Sequence, residues 1–274
     1  MTANDFKRNV NPSEVDEKVL IDSELRNSDY VESFGFEWTH IDGFIGKESM
    51  SHGHIFGRFM LPQEFFSDKT VVDVGCGNGR IGRLIAPLSK QYYGLDLSES
   101  VYAFPKYLES ENITLVRASG TDLPLNNGIA DVTICWGVLH HMNEPMKGLD
   151  ELVRVTKPGG SILIFIYSKA YKARKNLNEF AKNISQEKGH ELLESVSDCL
   201  DSWREVDQFY ANNLSRSLFM SVKQSRDWQI FQWYDGITPQ YHWDLEEEIE
   251  SAFKKMSFDY KKIQDGCYRV KVHD

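Results

Sequence analysis

A chain of 274 residues is long enough to bury a large core in one domain that also carries a lid or an insertion. Its 31 basic against 41 acidic residues leave a net charge of −10 with no lysine–arginine block, which argues against partners held by nucleic-acid phosphates and for a small-molecule or protein substrate. Cys76, Cys135, Cys199 and Cys267 lack C-x-x-C spacing, which argues against zinc ribbons, redox pairs and a disulfide framework.

In chain order, residues 13–33 read as an amphipathic helix carrying Val15, Val19, Leu20 and Leu25, with Ser13 as its cap. Residues 34–59 are rich in aromatic residues, Gly and His and have no clean period. With the helix they make an N-terminal lid over residues 1–69. From 70 to 167 the pattern alternates: strand 70–74, helix 79–89, strand 91–95, helix 99–109, strands 113–117 and 131–136, helix 145–156 and strand 161–167. Pro158-Gly159-Gly160 marks a turn before the last strand. Residues 168–240 change to helical periodicity and read as an inserted cap. A helix at 244–256 and strands at 258–264 and 267–272 then complete the core within residues 241–274. The expected class is α/β, a doubly wound, mostly parallel, seven-stranded Rossmann-like sheet with an N-terminal helical lid and an inserted helical cap. The start Met-Thr-Ala-Asn-Asp-Phe-Lys-Arg has no apolar signal core, and no run approaches the ~18 apolar residues of a membrane span. A soluble, cytoplasmic protein is therefore expected, with a homodimer as its candidate assembly.

The segment Thr-Val-Val-Asp-Val-Gly-Cys-Gly-Asn-Gly-Arg at 70–80 carries the most chemistry. A β-branched strand enters a turn with Gly75, Gly77 and Gly79, and Ile81, Leu84, Ile85 and Leu88 follow at helical spacing. A dinucleotide fingerprint, G-x-G-x-x-G, wants glycine where Arg80 stands, and Asp73 beside the turn would repel pyrophosphate. A cationic ligand suits that acid. Asp96, just past the second strand, faces the same edge and is suited to the two hydroxyls of a ribose.

This run closely resembles the first motif of class I S-adenosylmethionine-dependent methyltransferases, small-molecule and type 11-like. The resemblance covers 70–167 well and the tail from about 240 more loosely. It implies S-adenosyl-L-methionine as cofactor, held by Asp73, Gly75, Cys76, Gly77, Asp96, Leu97, Ser119, Gly120, Thr121, Trp136 and Val138. Where the family commonly reads Gly-Asp-Ala-x-x-Leu-Pro, this chain reads Ala-Ser-Gly-Thr-Asp-Leu-Pro, so Ser119 stands in for the acid that meets adenine. Asp122 reaches in instead or stabilises the loop. Val138-Leu139-His140-His141 resembles the family's Val-Leu-His-His, and His141 or His140 is the candidate base, since histidine titrates near neutrality. The aromatic segments supply acceptor candidates: Tyr30, Trp38 and His52 before the core, and Trp233, Tyr234, Tyr241 and His242 after the cap. No metal site is expected, because His52 and His54 lack a partnering carboxylate or cysteine. The implied reaction moves a methyl group to an oxygen or nitrogen of a small metabolite or sugar. Its rivals are an NAD-type oxidoreductase and a methyltransferase-like scaffold that binds without turnover.

Overall fold

The structure is a computed structural model and describes residues 5–25, 52–106, 108, 110–167, 242 and 244–273. Nine strands of these residues form one sheet: β1 (Val10–Pro12), β2 (Val19–Asp22), β3 (Thr70–Val74), β4 (Gln91–Asp96), β5 (Ile113–Arg117), β6 (Ala130–Trp136), β7 (Thr156–Phe165), β8 (Asp259–Gln264) and β9 (Cys267–Lys271), in the order β1-β2-β5-β4-β3-β6-β7-β9-β8. From β2 to β7 every pairing is parallel, while β1 and β9 run against their neighbours. Four α-helices are described: α1 (His52–Phe59), α2 (Gly82–Ile85), α3 (Pro145–Val155) and α4 (Leu245–Lys255). No helix among the described residues is long and apolar enough to cross a membrane.

Seven strands lie where they are expected, but the sheet has nine rather than seven, and the correction comes at the N-terminus. Residues 13–25 are not helical, and β1 and β2 extend the sheet beyond β5. Val15, which a helix would have buried, is 72% exposed, whereas Val19 and Leu20 are buried next to β5, with Val19 opposite Leu115. The run Val19-Leu20-Ile21 is short, largely β-branched and buried on alternate sides, as a strand inside a parallel sheet demands. Two expected helices are also shorter and tighter. Residues 86–88 and 99–106 are 3₁₀ turns, and Pro87 and Pro105 withhold the N–H with which an α-helix would continue through them. The turn at Pro158-Gly159-Gly160 lies inside the bounds of β7. Thr156 pairs with Ala130 and Ser161 with Val132, so the residues between them bulge out of the ladder.

Alternation along the strands divides the core between the two faces of the sheet. Val72 and Val74 join Leu149 and Leu152 of α3 and Ile249 and Phe253 of α4 on one face. Val71 joins Phe56 and Phe59 of α1, Tyr92, Phe104 and Trp136 on the other. From β3 the chain builds outward through β4 and β5, then returns to place β6 on the opposite side of β3. That reversal leaves a crevice outside the carboxyl ends of β3 and β6, where open α/β sheets bind ligands.

Candidate active site

The turn after β3 has the geometry its glycines permit. Gly75, Gly77 and Gly79 all take left-handed conformations, with φ of 81°, 54° and 83°. The Gly75 and Cys76 amides both donate to the Leu95 carbonyl of β4, at 2.7 and 3.1 Å, which binds the turn to the next strand. At Gly75 a Cβ would lie 2.2 Å from Cγ2 of Val138, so the backbone of one loop packs directly on the side chain of the other across the crevice.

Two acids stand at this edge. Asp73 is buried on β3; its Oδ2 accepts the Tyr92 hydroxyl at 2.5 Å, and its Oδ1 has no partner among the described residues. Burial pushes the Asp73 carboxyl up to about 7. The Tyr92 bond works against that rise, and the charge of Asp96 adds to it. Asp96, at the end of β4, is half-buried and engages its own loop. Oδ2 accepts from the Gly77 amide at 2.8 Å, and Oδ1 accepts from the amide and hydroxyl of Ser98 at 2.8 and 2.7 Å. Burial raises its pKa too, against those bonds and Arg117. A carboxylate has about four lone-pair directions, so three donors leave Asp96 able to accept one more. A buried carboxyl with an unused oxygen, repelled by a second acid, fits a ligand with an ammonium or sulfonium centre and a ribose, and opposes a pyrophosphate.

The loop after β5 places the remaining cofactor candidates. The Ala118 amide donates to the Asp96 carbonyl at 3.0 Å, joining this loop to the ribose-side acid. Ser119 Oγ and Thr121 Oγ1 lie 2.9 Å apart, and Ser119 Oγ also accepts the Thr121 amide. Gly120 is closely packed, since a Cβ there would meet Met142 Cε at 2.5 Å. Asp122 is held by Lys7 and Arg8 at 2.8 and 2.9 Å. Burial opposes its ionisation, yet those two hydrogen bonds keep its carboxyl below the usual range. Of the two roles open to Asp122, these contacts serve the loop. Cys76 is buried in the turn and Leu97 half-buried beside Asp96.

After β6 the chain supplies rings. Trp136 is buried against Phe59 and Phe165, with centroids at 5.2 and 4.9 Å, and the Arg58 guanidinium lies 5.6 Å from its ring. His140 and His141 are both buried, and their rings lie 4.1 Å apart. The Tyr167 ring is 4.5 Å from His140 and 5.8 Å from His141. The His242 amide donates to the His140 carbonyl at 3.3 Å, so the tail reaches this edge. Sequence reasoning missed Tyr167 and Arg58. The signal for Tyr167 was an aromatic residue just past an apolar strand; Arg58 sat in a segment without a period. Tyr30, Trp38, Trp233, Tyr234 and Tyr241 lie outside the described residues, as does the cap at 168–240. His52 opens α1, but its side chain also lies outside the description.

Comparison with known proteins agrees with this geometry. Residues 72–164 match a family model described as a methyltransferase domain. An uncharacterized methyltransferase of Mycobacteroides abscessus is 27% identical over 145 residues, covering 51% of this chain and 56% of that one. Demethylmenaquinone methyltransferase of Clavibacter sepedonicus is 36% identical over 101 residues, covering 36% and 41%. The tRNA (carboxymethyluridine(34)-5-O)-methyltransferase of Arabidopsis thaliana is 33% identical over 105 residues, covering 37% and 25%. The chain thus spans from a quarter to little more than half the length of these relatives. The matched stretch runs from β3 through the glycine turn into β7, and over it this chain is similar to a methyltransferase domain.

Proposed function

We propose that the protein transfers a methyl group from S-adenosylmethionine to an oxygen or nitrogen of a small acceptor. The observation that carries this reading is the buried Asp73 carboxyl with its unpartnered Oδ1, set beside Asp96 at the crevice between β3 and β6. When bound, the cofactor supplies a methyl group already activated by a sulfonium. The tasks left to the chain are to bind, to align and to exclude water. Asp73 faces the positive part of the cofactor, Asp96 accepts from its ribose, and the Ser119–Thr121 loop forms the far wall. Alignment can contribute roughly 7–11 kcal/mol, and a general base about 3–5 kcal/mol, so positioning dominates. For a hydroxyl acceptor, His141 or His140 takes the proton; both are buried at the carboxyl edge, against Tyr167. Trp136 and Phe165 help to keep the path dry.

Calorimetry with S-adenosylhomocysteine and with NAD tests the cofactor assignment, and affinity for NAD alone would overturn it. Incubation with methyl-labelled cofactor and a metabolite extract tests turnover. Label carried into a small-molecule fraction identifies the acceptor, and no transfer at all would favour a scaffold that binds without reacting. With the acceptor in hand, His141→Ala or His140→Ala should lower turnover roughly 10²–10⁴-fold at near-parental cofactor affinity. Unchanged rates in both variants would remove the histidines from the mechanism. A second reading, an RNA acceptor, draws on the tRNA enzyme among the relatives. The net charge of −10 counts against it, and label entering a tRNA fraction would support it.

A further inference from the structure

Outside the crevice, a set of charged side chains, some of them buried, closes on the loop that follows β5. Residues 5–8 form a strap that runs along this loop. The Lys7 amide donates to the Pro124 carbonyl at 2.7 Å, the Asn126 amide to the Asp5 carbonyl at 3.0 Å, and Phe6 bridges Leu125. Arg8 fastens the strap. Its guanidinium forks onto Asp22 at the end of β2, with Nε to Oδ1 at 2.7 Å, and Nη2 also donates to the Asp122 carbonyl at 2.6 Å, while Nη1 lies 2.9 Å from the Asp122 carboxylate. The Asp22 side chain is 1% exposed and that of Arg8 13%, so the pair acts in a medium that screens it weakly. From the other side, Glu151 of α3 accepts the Leu123 amide at 2.7 Å, and Arg154 donates to the carbonyls of Leu123 and Leu125. Charged groups from two directions therefore take up the polar main chain of residues 122–125, and that loop begins at Ala118, which is bonded to Asp96.

We propose that Arg8 is a positioning residue for the cofactor: by locking the strap between Asp22 and Asp122 it holds the Ser119–Thr121 wall at the spacing that S-adenosylmethionine needs. Arg8 touches no cofactor atom itself, and the inference rests on the cofactor site proposed above. A strap segment far away in sequence then sets the shape of one end of the pocket, and sites held rigidly from behind bind more tightly than sites on free loops.

The test is calorimetric binding of S-adenosylhomocysteine to the full chain, with fold checked by near-UV circular dichroism. Arg8→Met should raise Kd roughly tenfold or more, and Arg8→Lys, which keeps the charge but loses the fork, should recover part of that loss. Asp22→Asn, whose side chain faces Arg8 rather than the crevice, should weaken binding about threefold or more and gives a second route if Arg8→Met does not fold. Lys157→Met, which breaks an ion pair at the opposite edge, should leave Kd unchanged. Amide exchange across residues 118–126 should quicken in Arg8→Met while that in β3 and β6 stays parental. If the parent binds and the folded Arg8 and Asp22 variants bind equally well, the positioning role falls alone. If the parent itself fails to bind, the cofactor reading falls and takes this inference with it.

Discussion

Two acids on neighbouring strands have opposite fates. Asp131 lies at the amino edge, near the start of β6, where it accepts the Thr70 amide at 2.9 Å and pairs with Lys157 at 2.7 Å. Burial opposes its charge, but those bonds hold its carboxyl below the usual range. Asp73 lies at the carboxyl edge of β3 with one tyrosine hydroxyl and an unpaired oxygen, and its carboxyl is pushed up to about 7. The amino edge is electrostatically complete within the protein. Among the described residues the carboxyl edge leaves one buried oxygen without a partner, the place that the cofactor proposed above would complete, and this is the physical difference between an edge that stabilises a fold and one left open to a ligand.

Glycines give the sharpest way to break that contrast. Gly75 and Gly159 share left-handed backbones, with φ of 81° and 74°, but a Cβ on Gly159 would meet nothing within 4 Å, whereas one on Gly75 would strike three atoms of Val138. Gly75→Ala should cost roughly 2–5 kcal/mol, combining left-handed strain with overpacking, and should abolish measurable cofactor binding. Gly159→Ala should cost only the strain, about 1–2 kcal/mol, with binding retained. Urea unfolding and calorimetry on both variants check this, and equal costs would mean that the packing across the crevice yields easily.

The acid itself gives the next effect. An unfolded aspartate titrates near 3.9, and folded Asp73 titrates at about 7. The folded protein therefore holds this proton more tightly, so the stabilising contribution is full below about pH 4, falls as pH rises to about 7 and then levels off. A cationic cofactor favours the ionised form, so its affinity should rise between about pH 6 and 8 and binding at pH 6 should release a proton. Asp73→Asn should remove the proton release, weaken S-adenosylmethionine roughly tenfold and flatten the stability slope, save for what Asp96 adds. Calorimetry in two buffers of different ionisation enthalpy reads the proton directly. No release from the parent at pH 6 would mean that Asp73 is already ionised or does not meet the cofactor.

How far all this was legible follows from the range of the interactions. The β3 strand and its turn were readable because glycine at three left-handed positions and β-branched residues before them are local signals. β2 was misread as helix because Val15, Val19 and Leu20 satisfy a helical period by accident. Only the pairing with β5, almost a hundred residues on, makes residues 19–22 extended. The site shows the same limit. Asp96 was placed by its strand end, but the bonding of Asp122 to Lys7 and Arg8 joins segments more than a hundred residues apart, which no spacing rule reaches. Tyr167 became a neighbour of His140 only once β6 and β7 lay side by side.

The smallest expected effect tests the completed edge. The Lys157 and Asp131 side chains are 41% and 33% exposed, so water screens their attraction, and Lys157→Met should cost no more than about 0–1 kcal/mol. Asp131 keeps the Thr70 amide, which sits at the start of β3, so the strand that leads to the glycine turn retains its anchor and cofactor affinity should not change. The loss should shrink further in high salt, as an exposed pair requires. A large, salt-insensitive loss, or a weakened cofactor, would show that the two edges are mechanically coupled through β3. Asp73 would then feel events at the far end of its own strand, and the division of labour between the edges would have to give way to a single rigid unit.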